Sequence, residues 1–247
     1  MTSPTAGLVV PEAPSSFRNL TAEVRAAGLL ERRLDHYSAR IALTIGAFVA
    51  LWCGFVALGH SWATLGLAAL LGVASTQLGF LGHDAGHRQI FASPRANRLF
   101  GLVVANGLVG MSFGWWVPKH YAHHAHPNEI GRDPDIGLGL IAPPKESDRA
   151  SGRRSLGGWL AYRQAEMFFP LMLLRSTGLF VTGIHDLIVR RNRAALTEGV
   201  LLAAHAGLYL TAVFWVLPPL QAVAFLAVHQ AVLSIYLGCS FAPNHKG

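Results

Sequence analysis

The sequence predicts an all-α integral membrane protein: four transmembrane helices arranged as two hairpins, with interfacial helices and a cytoplasmic histidine-rich cap. Three observations carry that reading. Hydrophobic residues make up 52% of the 247 positions and charged ones only 13%, against about a quarter charged in a typical soluble domain. The charges are also segregated, leaving uncharged runs at 41–59, 61–82, 99–117, 199–217 and 220–241. Runs of about 20 apolar residues match the hydrocarbon thickness of a bilayer when helical. Third, the 20 basic residues fall before the first run, between the second and third, from Lys119 to Arg193, and at Lys246. By the positive-inside rule these segments face the cytoplasm, which leaves only the His60 turn and the Pro218-Pro219 turn outside. The basic balance is therefore read as membrane topology, with no nucleic-acid partner expected.

Along the chain, residues 1–15 (MTSPTAGLVVPEAPS) are rich in Pro and Ser and read as a flexible tail. They lack a basic segment followed by an apolar core, so no cleavable signal is expected and the first apolar run acts as the insertion signal. Residues 16–247 form one domain. Stretches 18–38 and 156–175 mix apolar and basic positions at helical spacing; each suits either a helix lying in the cytoplasmic interface or an amphipathic helix packed on the cytoplasmic body. The runs 41–59 with 61–82, and 199–217 with 220–241, are the two hairpins. The 99–117 run carries Gly101, Gly107, Gly110, Gly114 and a central Asn106. It is read as re-entrant or interfacial, with Trp115 and Trp116 anchored at headgroup depth. Cys53 and Cys239 sit singly in apolar runs and read as packing residues.

The histidines then fall into place. GHDAGH sets His83 and His87 at i, i+4 on one helix face where the second run leaves the bilayer. In KHYAHHAHPN, His120, His123 and His124 share a face by their i, i+3, i+4 spacing. His126 points away from that face and Pro127 closes the helix. His245, after the fourth spanning run, reaches the same cytoplasmic surface. Six imidazoles thus converge from three segments. His60, His205 and His229 read instead as packed or hydrogen-bonded residues, and His36 and His185 as surface residues.

Ligand type and count suggest the metal. A structural zinc site closes with four ligands, often cysteines, and a zinc protease needs HExxH. Here the residues between His83 and His87 are Asp84, Ala85 and Gly86, and the imidazoles exceed four. Surplus imidazoles suit a pair of redox-active ions, and a di-iron centre is the economical reading. Asp84 is either a partner orienting a ligand imidazole or a solvated helix-end carboxylate. Asp133 and Asp135 in RDPDI read as turn formers around Pro134.

GHDAGH, KHYAHHAHPN, RDPDI and the terminal SFAPNHKG resemble the integral-membrane fatty acid desaturase superfamily, particularly bacterial acyl-lipid or acyl-CoA desaturases, from about Arg18 to Gly247. The resemblance implies an oxygen-dependent di-iron enzyme that places a double bond in a saturated acyl chain. Hydroxylases and ketolases share the same boxes, and a non-enzymatic membrane metal-binding protein is the rival outside enzymes. That family carries a third box, (H/Q)xxHH, beyond the FAPNHKG-like segment. The expectation is accordingly of a C-terminally incomplete domain whose second iron site lacks ligands and which is inactive on its own. The resemblance also implies a fatty acyl substrate (acyl-CoA or acyl-lipid), O2, a separate electron donor such as a ferredoxin or reductase, and residence in the bacterial inner membrane. Basic residues from 145 to 193 either hold a phosphate-bearing headgroup or simply obey the positive-inside rule.

Overall fold

The computed structural model describes residues 16–129, 131–135 and 163–244. Among them every regular element is a helix: α1 (Ser16–Ala26), α2 (Leu34–Leu58), α3 (Thr64–Gly86), α4 (Pro94–Gly101), a π-helical segment (Leu102–Val109), α5 (Phe113–Ala125), α6 (Gln164–Met172), α7 (Arg175–Arg190), α8 (Arg193–Val216) and α9 (Pro219–Asn244). Four of these, α2, α3, α8 and α9, are long and apolar enough to cross a membrane. At about 1.5 Å per residue, helices of 23–26 residues reach past a hydrocarbon core of about 30 Å. Two bent pairs, α4 with α5 and α6 with α7, raise the number of candidate spans to six.

α3 is the central helix. Of its apolar span 56% is buried, against 6% for α2, and it packs against α2, α9, α4 and the π segment. The outer helices turn large apolar residues outward, including Leu43, Leu208 and Trp215, as a bilayer permits and water penalises. Phe55 near the end of α2, Leu71 of α3, Val213 and Leu217 at the end of α8, and Phe225 of α9 form one buried cluster. The short connections after α2 and α8 therefore lie at the same end of the bundle. A second cluster, Leu78, Leu81 and Val104, lies toward the end where α3 presents His83.

The 99–117 run is not one straight helix: α4 and the π segment meet α5 at 111°. Gly110 occupies left-handed backbone (φ 82°) at the break, a conformation that favours glycine. Asn106, fully buried, accepts from Phe113 N at 3.0 Å, and Ser112 caps α5 by accepting from Trp115 N. The asparagine that weakens the run as a membrane span is the residue that fastens its bend.

Two expectations need correction. Residues 18–38 are not one helix, because Gly28 at φ 68° ends α1 and α2 starts afresh at Leu34. Within 156–175, α6 stops at Met172 and α7 begins at Arg175, while residues up to 162 lie outside the described set. α7 itself docks on α9, with Ser176 N donating to Ser234 Oγ at 3.0 Å and Ser176 Oγ donating to Gln230 at 2.7 Å. The helix that begins at the end of that stretch is thus packed into the helical bundle.

Candidate metal centre

Two helices bring the histidines together. His83 projects from the last turns of α3 and His87 follows as its C-cap residue, while α5 carries His120, His123 and His124. Tyr121 ties the helices directly, its hydroxyl donating to Gly86 O. Trp116 stacks on His120 at 4.4 Å between ring centroids, with an interplanar angle of 19°. It is 9% exposed, so it floors the cluster and is not the headgroup anchor the sequence reading assigned. A large ring one helical turn before His120 necessarily shares its face.

His120 Nε2 lies 3.1 Å from His83 Nε2, 3.0 Å from His87 Nε2 and 2.9 Å from His124 Nε2. Ligand atoms of all four residues fall within 4.8 Å of one another. A ring nitrogen carries at most one proton or one available lone pair, so three such contacts at one nitrogen cannot all be hydrogen bonds. Convergent lone pairs around a cation satisfy them all. With metal–imidazole bonds of about 2.0–2.1 Å, ligands at right angles sit about 3 Å apart and tetrahedral ones about 3.4 Å. The observed spacings match neighbouring positions of an octahedral shell, so these residues fit a transition-metal ion. Burial, helped by His83 and His124 nearby, lowers the His87 pKa and favours the neutral form that binds metal.

His123 shares the face but has a different partner. Its Nδ1 donates to both Asp133 oxygens at 2.9 Å, and the pair is buried. Asp133 also accepts from Asn128 N and Asp135 N at 2.9 and 2.8 Å. Burial alone would raise its pKa, but these bonds more than offset it and hold the carboxyl below its usual range. A carboxylate on Nδ1 fixes an imidazole's tautomer and leaves Nε2 as the ligand atom. His123, Asp133 and Asp135 also form a group compact enough for an ion of their own, but Lys119 pairs with Asp135 and Asp133 is already committed to three donors.

Asp84 approaches His83 Nδ1 at 3.4 Å while accepting from Arg40 at 2.9 Å, which favours the orienting role over the solvated one. His126 bonds Arg132 and Glu129 instead of joining the cluster. His205 donates from Nδ1 to Gly107 O, and His229 lies between Ser75 and Tyr209, as hydrogen-bonded residues should. His36 and His185 are exposed, as surface residues should be, whereas His60, read as packed or hydrogen-bonded, is exposed as well. His245, Lys145, Arg149, Arg153 and Arg154 lie outside the described residues.

Sequence reasoning missed Glu198. It sits in α8, 2% exposed, and accepts from Ser112 Oγ at 2.7 Å, Gly114 N at 2.9 Å and Arg190 Nη1 at 3.2 Å. It thereby pins the first turn of the helix that bears three of the histidines. The available signal was a lone carboxylate opening an otherwise uncharged run.

Beside the imidazoles is a cavity of about 260 Å³, with Met111, Leu171, Met172, Leu179 and Leu237 along it and Lys119, Asp135 and Arg175 among its polar lining. A larger groove of about 890 Å³ between α7 and α8 shares no residue with the histidine cluster.

The sequence model for "Fatty acid desaturase" matches residues 60–247. A Delta(8)-fatty-acid desaturase of Euglena gracilis is 39% identical over 127 residues, 51% of this chain and 30% of that protein. Delta(8)-fatty-acid desaturase 2 of Arabidopsis thaliana is 30% identical over 247 residues, 94% of this chain and 52% of that protein. Fatty acid desaturase 3 of Bos taurus is 30% identical over 178 residues, covering 67% and 40% respectively. The chain spans about half the length, or less, of these relatives.

Proposed function

The chain belongs to the fatty acid desaturase family, and on that premise we propose that it serves an oxygen-dependent di-iron desaturase that introduces a double bond into a saturated acyl chain. The observation that carries this reading is the meeting of four imidazole nitrogens within 4.8 Å beside a largely apolar cavity. Desaturases generally use iron. Bound there, iron would supply the oxidising power, drawn from O2 and donated electrons, that removes hydrogen from an unactivated methylene.

The chain's own residues account for binding and positioning. His83, His87, His120 and His124 would hold one ion, and His123, oriented by Asp133, is assigned to the second. The rest of that ion's ligands lie outside the described residues, with His245 and the third box implied by the family resemblance as candidates. Activity of these 247 residues depends on them. Met111, Leu171, Leu179 and Leu237 would pack a saturated tail at the apolar side of the cavity and exclude water. Lys119 and Arg175 on its polar side suit the anionic carrier of an acyl-CoA or acyl-lipid.

Residues 16–247 act as a single membrane domain in the bacterial inner membrane, with the histidine end in the cytoplasm and a separate ferredoxin or reductase supplying electrons. Mass spectrometry of a deuterium-labelled saturated acyl substrate, incubated with the chain extended by an (H/Q)xxHH segment and a reduced donor, tests the reaction. Loss of two label atoms from neighbouring carbons supports desaturation. Gain of an oxygen instead would identify a hydroxylase or ketolase on the same scaffold, and neither product would leave the metal-binding protein as the reading.

A further inference from the structure

Behind α5, on the side away from the acyl cavity, lies a second cavity of about 510 Å³. None of the candidate metal ligands lines it. Its lining includes the arginines Arg88, Arg95, Arg98 and Arg190, facing the single carboxylate of Glu198, with Pro118 and Tyr121 of α5 forming part of the wall. Arg190 is divided between Asp186 and Glu198, and its Nη2 is buried without a hydrogen-bond partner. Among the described residues the guanidinium groups of Arg88, Arg95 and Arg98 have no ion-pair or hydrogen-bond partner.

Arg88 adds a backbone argument. It holds φ 57° at the turn that ends α3, where Gln89 N bonds Asp84 O and Arg88 N bonds Ala85 O. That position in a helix-ending turn is usually glycine, because side chains are disfavoured in left-handed backbone. An arginine there keeps a side chain that the turn itself does not need. The positive-inside rule explains basic residues on this side of a membrane protein, but it does not explain three exposed guanidinium groups without partners lining one cavity together with Arg190.

We propose that this cavity binds a phosphate-bearing ligand, either the headgroup of an anionic phospholipid or a soluble phosphate ester. Guanidinium forks match phosphate oxygens in planar, charge-assisted pairs, and a multiply charged anion is what several unpaired arginines would neutralise. Leu99 and Val103, both 54% exposed along α4 and the π segment, give a lipid's acyl chains an apolar flank beside the arginines. The site is independent of the iron reading, since it uses none of the candidate metal ligands.

The test uses the full chain, purified metal-free in a non-ionic detergent, with pyrophosphate as the probe in isothermal titration calorimetry. Pyrophosphate should bind, and the double variant Arg95→Gln/Arg98→Gln should weaken it about tenfold or more, given the strength of hydrogen bonds between charged groups. Arg191→Gln/Arg193→Gln, which changes the same number of arginines outside this cavity, should leave binding within about twofold. Arg88→Gln is the second variant, and circular dichroism keeps loss of binding separate from loss of fold. Micelles doped with phosphatidylglycerol but not phosphatidylcholine should displace the probe if the ligand is a lipid headgroup; failure of both to displace it assigns a soluble phosphate ester. Absence of pyrophosphate binding, or equal weakening by the cavity and control variants, would overturn the proposal. Because no iron is present, neither result bears on the desaturase reading.

Discussion

Replacing Gly114 by alanine should damage the protein through one contact, and the structure sets the size of the effect. A Cβ at Gly114 would lie 2.9 Å from Glu198 Cδ and 3.0 Å from Arg190 Nη1, where the buried carboxylate is held by Ser112, Gly114 N and Arg190. To make room, the carboxylate must leave Gly114 N and Ser112 Oγ. Each such bond to a charged group contributes about 1.5–3 kcal/mol, while alanine regains about 1 kcal/mol of helix propensity. The net cost is about 2–5 kcal/mol, or roughly 5–20 °C of Tm at about 2–4 °C per kcal/mol. Glu198→Ala alone should also destabilise, by about 3–5 kcal/mol, because it strands the donors the carboxylate serves. In that background the added methyl faces only the movable tip of Arg190, so Gly114→Ala should be neutral or gain up to about 1 kcal/mol. Thermal unfolding in detergent of the wild type, both single variants and the double variant gives the cycle, with a coupling of about 2–6 kcal/mol expected. Equal effects of Gly114→Ala with and without Glu198 would refute the reasoning.

Asp133→Asn should weaken the second of two cobalt(II) binding events about 10–100-fold, as loss of a partner behind a ligand imidazole does, and leave the ion at His83, His87, His120 and His124 in place; a spectroscopic titration measures it, and unchanged affinity for both ions would remove His123 from the site. The depressed Asp133 pKa gives a pH signature with a definite sign. Its stabilisation is complete above the unfolded carboxyl value of about 3.9 and fades as pH falls through the lower folded value. The Tm gap between wild type and Asp133→Asn should stay level above about pH 5 and shrink below about pH 4. Engineered cysteines at Ser61 and Ser93, both exposed and placed in a background without Cys53 and Cys239, should be labelled from opposite sides of the membrane; labelling of both from one side would contradict the orientation.

The helices and most of the site were legible because their signals are local. Uncharged runs mark α2, α3, α8 and α9, and i, i+4 or i, i+3, i+4 spacing fixes a shared histidine face whatever surrounds it. His126 was separable from its neighbours on the same ground. What stayed hidden depends on contacts distant in sequence. The pairing of Glu198 with Ser112 and Gly114 spans more than 80 residues, and no periodicity announces it. Trp116 beside Lys119 reads as an interfacial anchor until the stacking on His120 is seen. Asp133 reads as a turn former, and it does accept from Asp135 N; its bond to His123 emerges only when the chain doubles back after His126. The break at Gly28 was signalled by the glycine, but amphipathic spacing on both sides masked it.

Whether these particular imidazoles hold iron is measured by the iron bound per chain. The wild type, His120→Ala and His126→Ala should be purified in parallel, loaded with ferrous iron without oxygen, and analysed by mass spectrometry of the metal. His120 lies within 3.1 Å of three other ligand nitrogens, whereas His126 is engaged by Arg132 and Glu129. Stoichiometric iron is expected in the wild type and in His126→Ala, with loss of bound iron in His120→Ala. Iron retained in full by His120→Ala, or lost equally from both variants, would contradict it.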